Sequence, residues 1–250
     1  MSRLLTSPLY FVVLGLLCGM FGTRLGWRSR NRMMLPLLQG LLGFLAFAAA
    51  WRGVGPIAAS LAIGGWAIGV TLFSLFRFAA EPEQVDLRVL HARPYRESML
   101  EWLRTGKGPE ARPLRTVWQH VRELAVYLAA ALLTANLLAI VLGAILLNAM
   151  NGYVARLLGA AKQVWRVRLL AWNAWSVVRV AAYVMLGSAA AELIAARLGY
   201  SGDPRQVRIQ AIAGAVGVVL DLLLELILSR PWGRALGAAV DLDAASRSPG

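Results

Sequence analysis

Cys18 is the only cysteine in the 250-residue chain, and His91 and His120 are its only histidines. A lone thiol excludes a disulfide framework and a cysteine-based metal site, and two distant imidazoles without a ligand-spaced neighbour give no zinc pattern. Charge is scarce as well: 16% of residues are charged against 58% hydrophobic, a balance that soluble domains rarely show. No stretch alternates apolar and polar residues over about ten positions, so a membrane β-barrel is excluded.

Motifs of catalysis are missing too. There is no Gly-x-Ser-x-Gly elbow. Thr105-Gly106-Lys107-Gly108 looks like the end of a phosphate-binding loop, but position 101, where the leading glycine belongs, is Glu101, and no strand precedes it. No cofactor is expected, and no enzyme signature is present; a lipid-modifying enzyme using carboxylates and arginine would carry none. The net charge of +13 is spread over every loop without a dense basic run, which argues against nucleic acid and for anionic lipid headgroups.

What the chain does have is long apolar runs of about 20 residues, the length that crosses a bilayer. They predict an all-α polytopic membrane protein, because backbone groups in lipid must be satisfied within the segment. Six spans are expected at about 8–26, 34–51, 55–78, 124–151, 169–196 and 209–229. The first has only Arg3 before it and no small-residue cleavage pattern after it, so it reads as a retained span. The organisation expected is a membrane half at 1–79, an amphipathic linker at 80–122, a second membrane half at 123–230 and a polar tail at 231–250. Three spans plus three would give halves of opposite orientation, the arrangement of inverted-repeat transporters, although the halves share no visible sequence similarity.

Basic loops tend to face the cytoplasm. With six crossings, 16 basic residues fall on one side and 9 on the other, and both termini lie outside. The fourth run resists this scheme: Leu124 to Leu158 as one helix would be about 50 Å long against a core of about 30 Å. Re-entry near Asn136 or Gly143 would return 156–168 to the cytoplasm and improve the asymmetry to 20 against 5. Six full crossings remain the expectation here, since each half of a re-entrant loop would hold only about 15 apolar residues. The setting is a bacterial-type cytoplasmic membrane. In the linker, Tyr95–Arg104 and Leu114–Glu123 are amphipathic and are expected to lie on the membrane surface, where 80–122 could also dock a protein partner.

The candidate site lies in the last two spans. Carboxylates are expensive inside a bilayer, yet Asp221 and Glu225 stand on adjacent turns of the sixth span. At 100° per residue, Gln210, Gly214, Gly217, Asp221 and Glu225 fall within about 40° of one line, a small and polar stripe aimed into the bundle. Arg179 on the fifth span matches Asp221 in depth, so an ion pair is expected. Glu192, on the far side of that helix, is assigned Arg197 or Arg208. Asn136, Asn148 and Asn151 interrupt the fourth run, either as hydrogen bonds between helices or as neutral ligands at a broken helix. Gly15, Gly19, Gly22 and Gly26 form a packing face. Together these residues predict a small-solute or ion-coupled transporter using intramembrane carboxylates; the alternative is a structural or assembly subunit of a membrane complex, whose charges lock helices together.

Overall fold

In the computed structural model the described residues are 7–106, 113–197, 199 and 203–246, of which 113–116 are described by their backbone. They form eleven helices and no strand: α1 Pro8–Arg28, α2 Met34–Gly53, α3 Pro56–Ala80, α4 Pro82–Arg88, α5 Ala92–Thr105, α6 Pro113–Thr134, α7 Leu137–Gly159, α8 Val164–Leu170, α9 Ala174–Arg197, α10 Pro204–Ala239 and α11 Leu242–Ser246. Six segments are long and apolar enough to cross a membrane: α1, α2, α3, α7, α8 together with α9, and α10. The chain is an all-α polytopic membrane protein. Arg3 and most of the turn Gly106-Lys107-Gly108-Pro109 lie outside the described residues.

Glycine builds the first half. Gly15 and Gly19 lie against the backbone of Ala62, Trp66 and Val70, while Gly65 and Gly69 lie against that of Val12 and Leu16. Residue numbers rise together on the two helices, so α1 and α3 run parallel, with α2 antiparallel between them. Gly22 and Gly26 do the same toward Gln39 and Leu35 of α2. The glycine-rich face therefore closes contacts within one chain. A polar clamp ties these helices to α7: Asn148 Nδ2 donates to Gln39 Oε1 at 2.6 Å, and Gln39 Nε2 donates to Thr23 Oγ1 at 2.8 Å.

The fourth run does not cross as one helix. Ala135 and Asn136 adopt φ of 47° and 82°, the left-handed region, and split it into α6 and α7. Asparagine tolerates that conformation and alanine pays for it. The surroundings offset the cost: Asn136 N–H donates to Ala131 O at 2.9 Å, closing α6, and Leu138 N–H donates to Thr134 Oγ1 at 2.9 Å, capping α7. Asn136 is fully buried, beside Gly187 of α9. Gly187 is ten residues from the end of α9 at Arg197, so the turn stops about 15 Å short of that end.

From the turn, α7 runs back to the side on which α4 and α5 lie. Gly152 faces Val85 and Ala92, and the rings of Tyr153 and Tyr95 meet edge to face at 6.1 Å. The pair α6–α7 is thus a helical hairpin: α7 is one of the six helices long enough to cross, and the single straight helix expected over Leu124–Leu158 is two helices. Residues 156–168 join the Arg-rich face, the end of α10 lies there too, and the basic residues among the described positions divide 17 to 4, with Arg179 between. Helix α6 begins at Pro113, well before the apolar run expected from Leu124.

That extension also corrects the linker. Leu114–Glu123 is the first half of α6, not a separate surface helix. Helix α5 packs its apolar face, Met99, Leu100 and Trp102, over the end of the bundle, against Tyr153 and Val154 of α7 and Leu236 of α10. Its Arg96 is held by a bidentate pair with Asp86 at 2.6 and 2.8 Å. Positions 231–239, assigned to a polar tail, continue α10 through Pro231. At 36 residues, α10 is about 54 Å long and outreaches the hydrocarbon core.

Candidate functional site

The α10 stripe faces inward: Gln210, Gly214, Asp221 and Glu225 are buried, while Val216, Leu220 and Leu223 between them are exposed. Glycine sets the helix spacing here as well, since a methyl group at Gly217 would approach the Cβ of Ala182 on α9 to 2.8 Å. Close approach brings the charged side chains into contact. Arg179 Nε donates to Asp221 Oδ2 at 2.8 Å, and its Nη2 donates to Asp221 Oδ1 at 3.2 Å and to Glu225 Oε2 at 2.5 Å. One guanidinium fork thus serves two carboxylates, the planar multidentate geometry for which arginine is suited.

The fourth member of this cluster comes from α6. His120 Nε2 lies 3.2 Å from Asp221 Oδ2 and 3.2 Å from Glu225 Oε2. Both carboxylates and the imidazole are buried, with Asp221 at 0% exposure, Glu225 at 3% and His120 at 5%. A turn further along α6, Glu123 accepts from Gln119 Nε2 at 2.8 Å. Spacing along the sequence gives His120 no ligand neighbour, because its partners lie on another helix. A signal was present: Gln119, His120, Glu123 and Tyr127 recur at helical spacing and mark one polar face.

These side chains form one wall of a cavity of about 280 Å³. His120, Glu123, Arg179 and Glu225 supply its charged end, and Trp66, Trp102, Ile140 and Val184 are among the apolar residues around the rest. Helix α5 covers it from the Arg-rich face through Tyr95, Ser98, Met99 and Trp102. Tyr127 and Tyr183 stack with ring centroids 4.8 Å apart within the same lining. A chamber of this kind, apolar with few convergent polar groups, is what small-molecule sites look like.

The other candidate residues lie elsewhere. Asn148 belongs to the Gln39 clamp, where Ser74 Oγ also donates to it at 3.3 Å. Asn151 is buried one turn later, its amide without a hydrogen-bond partner among the described residues. Asn136 forms the hairpin turn. Glu192 sits toward the opposite membrane face, and its partner there is the indole N–H of Trp51, where charge along the sequence pointed to Arg197 or Arg208. Nearby, Gln210 Nε2 donates to Ser60 Oγ at 2.7 Å, and Ser60 Oγ donates to Ser188 Oγ at 2.9 Å.

His120, Asp221 and Glu225 bring ligand atoms within 4.8 Å of one another, a donor set that suits a divalent ion by chemistry. Arg179 already donates to both carboxylates and places a fixed positive charge among them. A metal would have to displace that guanidinium, so the cluster is compensated from within. No protein-family model matches the chain, and neither a curated protein nor a solved structure matches it.

Proposed function

We propose that the protein is a proton-coupled transporter of small solutes, working in a bacterial-type cytoplasmic membrane with its Arg-rich face inward against anionic headgroups. One observation carries this reading: a buried cluster of two carboxylates, an imidazole and a guanidinium, drawn from α6, α9 and α10, opens onto a cavity large enough for an organic molecule. Glu225 is the proton-carrying carboxylate because it alone of the two acids lines the cavity. His120 stands between the acids as a second proton acceptor, and Arg179 sets the balance between charged and neutral states.

The test is proton movement in proteoliposomes carrying an internal pH indicator, challenged with solutes of different charge. Solute-dependent proton flux, lost in Glu225→Gln protein of normal folded yield, is the expected result; absence of flux for every solute class defeats the proposal. A second reading, a membrane subunit whose charges lock its helices, is supported by the Arg179 fork itself, which bridges both acids as a packing lock would. It predicts that Glu225→Gln lowers folded yield.

A further inference from the structure

Counting charge around the cavity gives its substrate class. Glu123 and Glu225 in the lining, with Asp221 directly behind Glu225, set three carboxylates against one guanidinium and one imidazole. With Asp221 counted, the excess is negative whether His120 is neutral or protonated, and among the described residues no Asp, Glu, Lys or Arg other than Glu123, Arg179 and Glu225 lines the chamber. Asp221 and Glu225 take the Nε and Nη2 donors of Arg179, so most of its charge is matched inside the fork. Glu123 is placed differently. It stands outside the fork, and its Oε1 receives only a neutral amide donor from Gln119.

Two further features favour a cation. The walls carry the rings of Trp66, Tyr95, Trp102, Tyr127 and Tyr183. Such rings present negative faces to a positive charge, an attraction that grows when water is excluded. Tyr183 is 8% exposed and its hydroxyl has no hydrogen-bond partner among the described residues. Burying a hydroxyl without a partner is costly, so a polar group that reaches it is favoured.

We propose that the cavity binds an organic cation with an apolar or aromatic body, its charge held between Glu123, Glu225 and the Tyr183 hydroxyl. This deepens the transport reading and rests on it for the purpose of binding. The cation exchanges against protons on Glu225, because one carboxylate cannot hold both.

Benzyltrimethylammonium tests the charge selectivity, with neopentylbenzene as its uncharged carbon isostere and phenylmethanesulfonate as an anion of similar shape. Purified protein in nanodiscs of neutral phosphatidylcholine is dialysed to equilibrium against each radiolabelled probe, with empty nanodiscs subtracted. Saturable binding of the cation alone is expected, weakened about tenfold in Glu123→Gln protein, a change outside the Arg179 fork. Binding of the sulfonate in preference to the cation, equal binding of cation and isostere, or no binding above empty nanodiscs each overturns the proposal. Proteoliposomes separate it from the transport reading. Cation that binds but neither crosses nor moves protons removes transport and leaves the site; proton flux with other solutes, in protein that ignores the cation, removes the site and leaves transport.

Discussion

Arg179 and Asp221 meet across the α9–α10 interface through two N–H···O bonds of 2.8 and 3.2 Å, with the aspartate wholly removed from solvent. Removing the guanidinium strands two buried carboxylates, and losing one partner of a buried pair costs about 3–5 kcal/mol. Arg179→Met should therefore lower the thermal midpoint in detergent or nanodiscs by several degrees. Adding Asp221→Asn and Glu225→Gln to that variant should recover most of the loss, because no uncompensated charge is then buried. A triple variant as unstable as the single one defeats the account.

Glu225 borders the cavity and Asp221 stands behind it, which predicts a difference in reactivity. A hydrophobic carbodiimide needs a protonated carboxyl in an apolar setting. Mass spectrometry should find the adduct on Glu225 and not on Asp221, with a yield that fades as pH rises. Folded protein that stays unlabelled at every pH marks permanently paired acids and favours the helix-locking reading.

The hairpin fixes which loops share a face. In a Cys18→Ser background, Val54→Cys in the α2–α3 connection should react with an impermeant thiol reagent on intact cells. Gln163→Cys after α7 should react only after lysis. Labelling of both on intact cells would restore α6–α7 to a single crossing.

Adjacent glycines on α3 offer a packing test. A methyl group at Gly65 would strike the backbone carbonyl of Val12, whereas one at Gly64 meets nothing within 4 Å. Gly65→Ala should destabilise the fold measurably, while Gly64→Ala should be neutral or gain up to about 1 kcal/mol of helix propensity. Equal effects in a thermal-unfolding comparison would mean that α1 and α3 do not pack this closely.

Much of the architecture follows from the order of residues alone. Apolar runs of bilayer length determine the helical class, since a backbone in lipid has to satisfy its own hydrogen bonds. The inward turn of the α10 stripe follows from a fixed 100° per residue, and the matched depth of Arg179 and Asp221 from a fixed rise; both are local, periodic properties. Tertiary structure decided the rest. The break at Ala135–Asn136 depends on Thr134, on Gly187 and on a backward extension of α6 whose mixed composition gives no hydropathy signal. His120 gained its role only when α6 folded inward, because contact between residues far apart in sequence leaves no trace in spacing. Glu192 found an indole where sequence offered an arginine, since a buried carboxylate takes whichever donor the packing brings to it.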